Sequence, residues 1–216
     1  MYDFVLNWNQ RKILKNISFL KKYGMYLAGG TALALHLGHR TSQDLDFYTK
    51  KHFNSGIVYK DFQENFKREK ISDPDFAQDT LKFRLNITDL SFFRYNYPLI
   101  RSLSDWESTE LASVEDIVAM KIEAIIERGT KRDFVDIYYL MKKCGLKQLL
   151  NFTQKKYSEV FNEQICLIAL MYFKDAEITQ KDRKRLYLYE NIEWRKIKEY
   201  IEKEVKQYQL EAIKKR

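Results

Sequence analysis

Two aspartates, Asp44 and Asp46, stand two residues apart in the run Gln43-Asp-Leu-Asp-Phe-Tyr48. If that run is extended, both carboxylates project from one face of a strand and can share divalent cations bridging an α-phosphate and an attacking hydroxyl. Twelve residues separate them from Gly29-Gly30-Thr31, which follows the short apolar segment Met25 to Ala28. Glycines at a strand end let the backbone approach phosphate oxygens. A helix starting there adds free N–H groups and partial positive charge, and Thr31 adds a hydroxyl. Diglycine before a helix is common, and Asp-x-Asp alone more often marks a solvated turn. Together they describe a triphosphate cradle folded back onto a metal site, the arrangement nucleotidyl transfer needs.

A second group of charges lies downstream. Lys121 and Arg128 recur on one face of an expected helix, spaced to lie along a triphosphate. Asp133 and Asp136, one helical turn apart, suit either orienting those cations or assisting deprotonation of an acceptor hydroxyl. The competing reading is an exposed helix laced with ion pairs. His36 and His39 flank the first motif and are expected to be structural.

The elements that must position these groups follow from periodicity. A helix is expected over residues 8–22, a strand at Met25 to Ala28, a helix from the diglycine through Leu37, and a half-buried strand carrying Asp44 and Asp46. Residues 57–69 read as a helix. Leu81, Phe83 and Leu85 alternate with polar residues before Asp89 to Tyr95, which predicts a hairpin. From Ser113, where Asp116 follows at capping-box spacing, the chain reads as nearly all helix. Ile197, Tyr200, Ile201, Val205, Tyr208 and Ala212 form one apolar stripe suited to core packing. Phe92, Phe93, Tyr95 and Tyr97 read as core and rim rather than as base-stacking platforms. The fold class is thus α+β: a mixed sheet flanked by helices over 1–105, then a helical domain over 106–216 that completes the active-site cleft.

Composition narrows the setting. A chain of 216 residues with 45% apolar content supports a substantial core. No run reaches the roughly 20 apolar residues of a membrane span, and no secretory signal is visible, so a cytoplasmic protein is expected. Cys144 and Cys166 stand apart from any CxxC or Cys/His cluster. The net charge of +8 favours a polyanionic partner, and residues 181–216 contribute 12 basic and 7 acidic side chains to it. That segment is either a phosphate-facing surface or a solvated helix face.

The segment GGTALALHLGHRTSQDLDF resembles the AbiEii/AbiGii nucleotidyltransferase toxin family of the minimal nucleotidyltransferase superfamily. The likeness continues through SFFRYNYPLI and LASVEDIVAMKIEAIIERGTKRDFVDIYYL, covering roughly residues 25–142. It implies that Gly30, Thr31, Lys121 and Arg132 bind nucleotide, joining Gly29 and Arg128 placed there by the residues themselves, that Asp44 and Asp46 hold Mg2+ or Mn2+, and that Lys121 and Asp133 join them in catalysis. Many members of the superfamily carry a third carboxylate on a neighbouring strand, where Asp89 and Ser91 are the candidates. The implied reaction moves a nucleoside monophosphate from an NTP to an acceptor, an RNA 3′ end such as that of tRNA, as the toxin of a system with a cognate antitoxin. Two other readings stay open: an idle nucleotide- or RNA-binding or protein-interaction module, and transfer to a small molecule or a protein.

Overall fold

The computed structural model describes residues 1–178 and 187–214, so Lys184 and Arg185 of the basic C-terminal segment lie outside the described residues. The described chain divides into two compact units, Met1–Ser113 and Val114–Arg216.

The first unit is built on a seven-stranded mixed sheet. In chain order it contains α1 (Trp8–Lys15), β1 (Tyr26–Ala28), α2 (Gly29–Leu37), β2 (Leu45–Thr49), α3 (Ser55–Asn65), β3 (Asp75–Ala77), β4 (Thr80–Leu85), β5 (Thr88–Arg94), β6 (Ser104–Trp106) and β7 (Thr109–Leu111). The strand order is β3-β4-β5-β2-β1-β7-β6, with β2 parallel to β5, β1 parallel to β7 and the other neighbours antiparallel. One face is dry: Leu45, Phe47, Leu81, Phe83, Leu90 and Phe92 are buried. Phe62 of α3 packs edge-on against Phe83 and Phe92 at ring separations of 5.0 and 5.4 Å, while Phe47 stacks on Phe92 at 5.2 Å. The other face carries the intervening side chains, Asp46, Tyr48, Ser91, Phe93 and Lys82 among them.

Several elements depart from the sequence expectation for local reasons. The helix expected over 8–22 stops at Lys15, because Asn16 turns its side-chain amide back onto the Lys12 carbonyl at 2.8 Å. A 3-10 stretch, Ser18–Tyr23, follows and ends on the left-handed Gly24. The expected 57–69 helix is α3, which starts at Ser55 behind an Asn54 cap and ends at Asn65. The β4–β5 hairpin forms with Asn86 at φ 54° in its turn. Strands β3, β6 and β7 gave no alternation signal, since each has three residues and β3 is exposed throughout.

The second unit is helical: α4 (Val114–Glu127), α5 (Lys131–Cys144), α6 (Leu146–Lys156), α7 (Glu163–Leu170), α8 (Lys174–Ile178) and α9 (Trp194–Lys214). Helix α4 packs against α5, α6 and α7, and α9 against α5, α6 and α7. In the C-terminal stripe, Ile197, Ile201 and Val205 are buried, while Ala212 is exposed. Asp116 does more than its capping-box spacing suggested: it is fully buried and takes the buried Lys156 ammonium at 2.7 Å. Cys144 and Cys166 are free thiols, both pushed above the ordinary range by burial. Among the described residues no helix is long and apolar enough to cross a membrane.

Candidate active site

Strand β1 is buried throughout and delivers the chain to Gly29, which adopts φ +67°. That conformation disfavours any residue with a Cβ, and so does the space. A Cβ at Gly29 would lie 2.9 Å from the Asp46 Oδ2. The carboxylate of Asp46 is therefore pressed against the backbone at the start of α2, a contact only glycine permits. Ala28 at the N-cap provides no side-chain hydrogen bond to the first turn of α2. The helix thus opens with its N-terminal N–H groups beside the Asp46 carboxylate, a setting suited to a phosphate bridged by cations.

Asp46 pairs in register with Ala28 on one side and Ser91 on the other. Asp44 immediately precedes β2 and lies one step before the Leu45–Leu90 pair, level with Asp89. Both motif aspartates are half-buried. Their position is held from two directions. The Thr31 hydroxyl donates to the Asp44 carbonyl, and the amide of Gln10, buried on α1, donates to the Ser42 carbonyl at 3.0 Å. Thr31 itself is buried, so its hydroxyl proton is committed to holding Asp44 rather than to a phosphate, the contact expected from the sequence.

Arg40 was not anticipated. It is buried, with a guanidinium nitrogen that would lie 2.7 Å from a Cβ at Gly30 and with Nη1 donating to the Thr41 carbonyl at 2.9 Å. A cation therefore sits under the cradle, close to both the diglycine and the loop leading into Asp44. Within HLGHRTSQDLD only its place between the two motifs could have signalled this. Of the flanking histidines, His36 contacts the Ala112 carbonyl through Nε2 at 2.9 Å and His39 is buried, the structural places expected of them.

The donor set suits a hard divalent cation. Two carboxylates on one strand face are what Mg2+ takes from a protein when waters and substrate phosphates complete its shell. Among the described residues, no three His, Cys, Asp or Glu side chains converge on a common point. Asp89, the third-carboxylate candidate, pairs with Arg84 at 2.6 Å.

In the second unit the structure brings Lys121, Arg128, Asp133 and Asp136 together. The Lys121 ammonium lies 3.0 Å from Asp133 and 2.7 Å from Asp136, and all three groups are buried. Asp133 also accepts from Arg128 Nε at 3.0 Å and from the Thr130 hydroxyl at 2.6 Å, closing a capping box at the start of α5. Burial alone would raise the Asp133 pKa, but the charges of Lys121 and Arg128 and their hydrogen bonds hold it far below the carboxylate range. A carboxylate so held is a poor proton acceptor near neutral pH. The geometry therefore favours the orienting role for Asp133 over the role of base that the sequence left open. Arg128 is the exposed member, with 61% of its side chain accessible. Arg132 lines a cavity of about 290 Å³ with Lys131, Val135, Trp194 and Ile197.

The sequence profile of the nucleotidyl transferase AbiEii toxins, a Type IV toxin-antitoxin system, matches residues 12–213. The chain belongs to this family. It is a nucleotidyltransferase, and membership extends over both units. An uncharacterised protein of Aquifex aeolicus (strain VF5) is 37% identical over 191 residues, covering 85% of this chain and 87% of that relative. The fold is similar to that of a Helicobacter pylori protein assigned as a nucleotidyltransferase, with TM-score 0.61, 19% identity and 94% of each chain covered. It is also similar to JHP933 of Helicobacter pylori, with TM-score 0.52, 20% identity, and 99% and 96% of the two chains covered.

Proposed function

We propose that this AbiEii-family chain transfers a nucleoside monophosphate from an NTP to the 3′ end of an RNA, tRNA being the favoured class, and that it acts as a toxin restrained by a cognate antitoxin. The observation carrying the catalytic part is the Asp46 carboxylate packed against Gly29 at the mouth of α2, with Asp44 two residues before it at the entry to β2. The family description supports the toxin and antitoxin roles, and the net charge of +8 supports a polyanionic acceptor.

In the proposed reaction the acceptor 3′-hydroxyl oxygen attacks the α-phosphorus. The bond from that phosphorus to the α,β-bridging oxygen breaks, pyrophosphate leaves with its electron pair, and the hydroxyl proton passes to water. Asp44 and Asp46 would hold Mg2+ or Mn2+, which neutralises phosphate charge and acidifies the hydroxyl. Gly29, Gly30 and the first N–H groups of α2 receive phosphate oxygens, with Arg40 adding positive charge beneath them. Thr31 and Gln10 hold the Asp44 loop in place. Asp133, itself paired with Lys121, holds Arg128, which we assign to the nucleotide.

Incubation with each labelled NTP, magnesium or manganese and total RNA, read by gel and by intact-protein mass, tests the proposal. Labelled RNA is the expected product, and Asp44→Asn or Asp46→Asn should abolish it while leaving the melting temperature within a few degrees of wild type. Label on the protein itself or on a small molecule, or near-normal transfer by either variant, would overturn the acceptor or the metal assignment respectively.

A further inference from the structure

The sheet face that carries Asp46 continues, one row further along the strands, into aromatic rings. Tyr48 follows Asp46 on the same face of β2 and pairs in register with Phe93 of β5, just as Asp46 pairs with Ser91. Their ring centroids are 5.5 Å apart. Tyr95 meets Tyr48 at 5.5 Å, and Tyr97 meets Tyr95 at 5.0 Å. The inner end of the series is anchored by buried Tyr26, 6.3 Å from Tyr48, and the outer end, Tyr97, is 36% exposed. Tyr48, Phe93 and Tyr95 are half-buried, so each ring is fixed by neighbours yet reaches solvent. Lys82, exposed and in register with Ser91, places its ammonium 5.6 Å from the Phe93 ring.

The sequence favoured core and rim for these residues. The structure divides them that way: Phe92 belongs to the dry face, whereas Phe93, Tyr95 and Tyr97 form the rim and join Tyr48 in a series beginning roughly 7 Å from Asp46 along the strand. Half-exposed rings in succession, with a cation beside them, form the platform on which single-stranded nucleic acid stacks its bases independently of sequence. A core needs no such exposure, and an apolar protein partner would not call for a lysine over the ring.

We infer that Tyr48, Phe93, Tyr95 and Tyr97 form a stacking rail for the unpaired bases at the 3′ end of the acceptor strand, leading its terminal hydroxyl toward Asp44 and Asp46. This rests on the RNA-acceptor reading above and adds where that strand is held. The rail binds bases through their faces, so it sets affinity for a single-stranded end and leaves the choice of NTP to other groups.

The test is an equilibrium measurement that needs no turnover. A short single-stranded RNA with 2-aminopurine near its 3′ end is titrated with the full-length protein without NTP, and the probe's quenching on stacking is followed. Wild type should quench it. Tyr95→Leu and Tyr97→Leu should each weaken binding about tenfold or more and reduce the quench, since one stacked base carries that much affinity. Tyr95→Phe and Tyr97→Phe, which keep the ring, should bind like wild type, so a loss of folding in the leucine variants would not leave the matter open. NTP affinity, measured separately, should be unchanged. Binding by wild type without quench, or leucine variants that bind and quench like wild type, would overturn the rail. So would loss of NTP affinity in place of RNA affinity, which would assign the rings to the incoming base. Nucleotide transfer to RNA with no role for these tyrosines would sink this inference alone, whereas absence of any transfer would sink the acceptor reading.

Discussion

Replacing Lys121 with methionine removes an ammonium that the structure places against both Asp133 and Asp136, at 3.0 and 2.7 Å, where both carboxylates are at most 1% exposed. Asp133 keeps Arg128 and Thr130, while Asp136 loses the ammonium that lies 2.7 Å from it. Breaking a buried ion pair by removing one partner costs about 3–5 kcal/mol. For a unit the size of Val114–Arg216, each kcal/mol lowers the melting temperature by roughly 4–8 °C. Lys121→Met should thus melt at least about 12 °C below wild type, while Lys143→Met, at an exposed site on the last turn of α5, should stay within about 2 °C. The double variant Lys121→Met/Asp136→Leu replaces the pair with apolar groups and should recover most of the loss, since such replacements are often neutral. Scanning calorimetry on the three proteins, followed by transfer assays, separates the roles. A stable double variant that no longer transfers nucleotide gives Lys121 a part in the chemistry. A stable and active one makes it a positioning residue for Asp133 and Arg128. A single variant as stable as wild type, or a double no better than the single, would refute the account of a buried network.

Gly29→Ala is expected to cost about 1–2 kcal/mol of stability, because alanine at φ +67° is strained, and to reduce transfer far more than that, because its methyl would displace the Asp46 carboxylate from 2.9 Å away. Thermal melting beside kcat/KM checks this, and activity falling no more than stability would refute it. The third expectation concerns acid. The Asp133 pKa is depressed in the folded state, so its contribution is fully present above the ordinary carboxylate pKa near ~4 and is lost progressively as pH falls below it. Urea unfolding between pH 5 and pH 2, buffer values chosen to span that window, should show a shallower acid loss for Asp133→Asn than for wild type, and parallel slopes would contradict the depressed pKa.

The parts of this site that the sequence disclosed are those whose physics is local. Asp46 could be placed on a strand with Asp44 two residues before it because strand periodicity is two, and the diglycine could be placed at a strand-to-helix turn because an apolar strand precedes it and a helical run follows it. What stayed hidden is what a side chain spends its hydrogen bonds on once the chain folds. Thr31 reads as a phosphate ligand from its position, yet it is used to hold Asp44. Helical spacing put Lys121 along a triphosphate and left Asp133 as either an orienting group or a base, whereas the fold buries both and pairs them. Periodicity reports which face a residue occupies and says nothing of whether that face is packed.

The same distinction explains Arg40 and the aromatic series. Arg40 has no periodic partner, and only the folding of its loop under Gly30 reveals a buried cation at the cradle. Phe92 and Phe93 are adjacent letters of equal hydrophobicity, but the register of β5 against β2 sends Phe92 into the dry core beside Phe47 and Phe93 to the face of the carboxylates beside Tyr48. The parity of one strand against its neighbour thus decides which aromatic ring stabilises the sheet and which is free to serve the site. In this enzyme that parity is set by pairing Asp46 with Ser91. A one-residue slip would bury the lysine and expose the core, so packing of the dry face against α3 is what fixes both the metal ligands and the rings beside them.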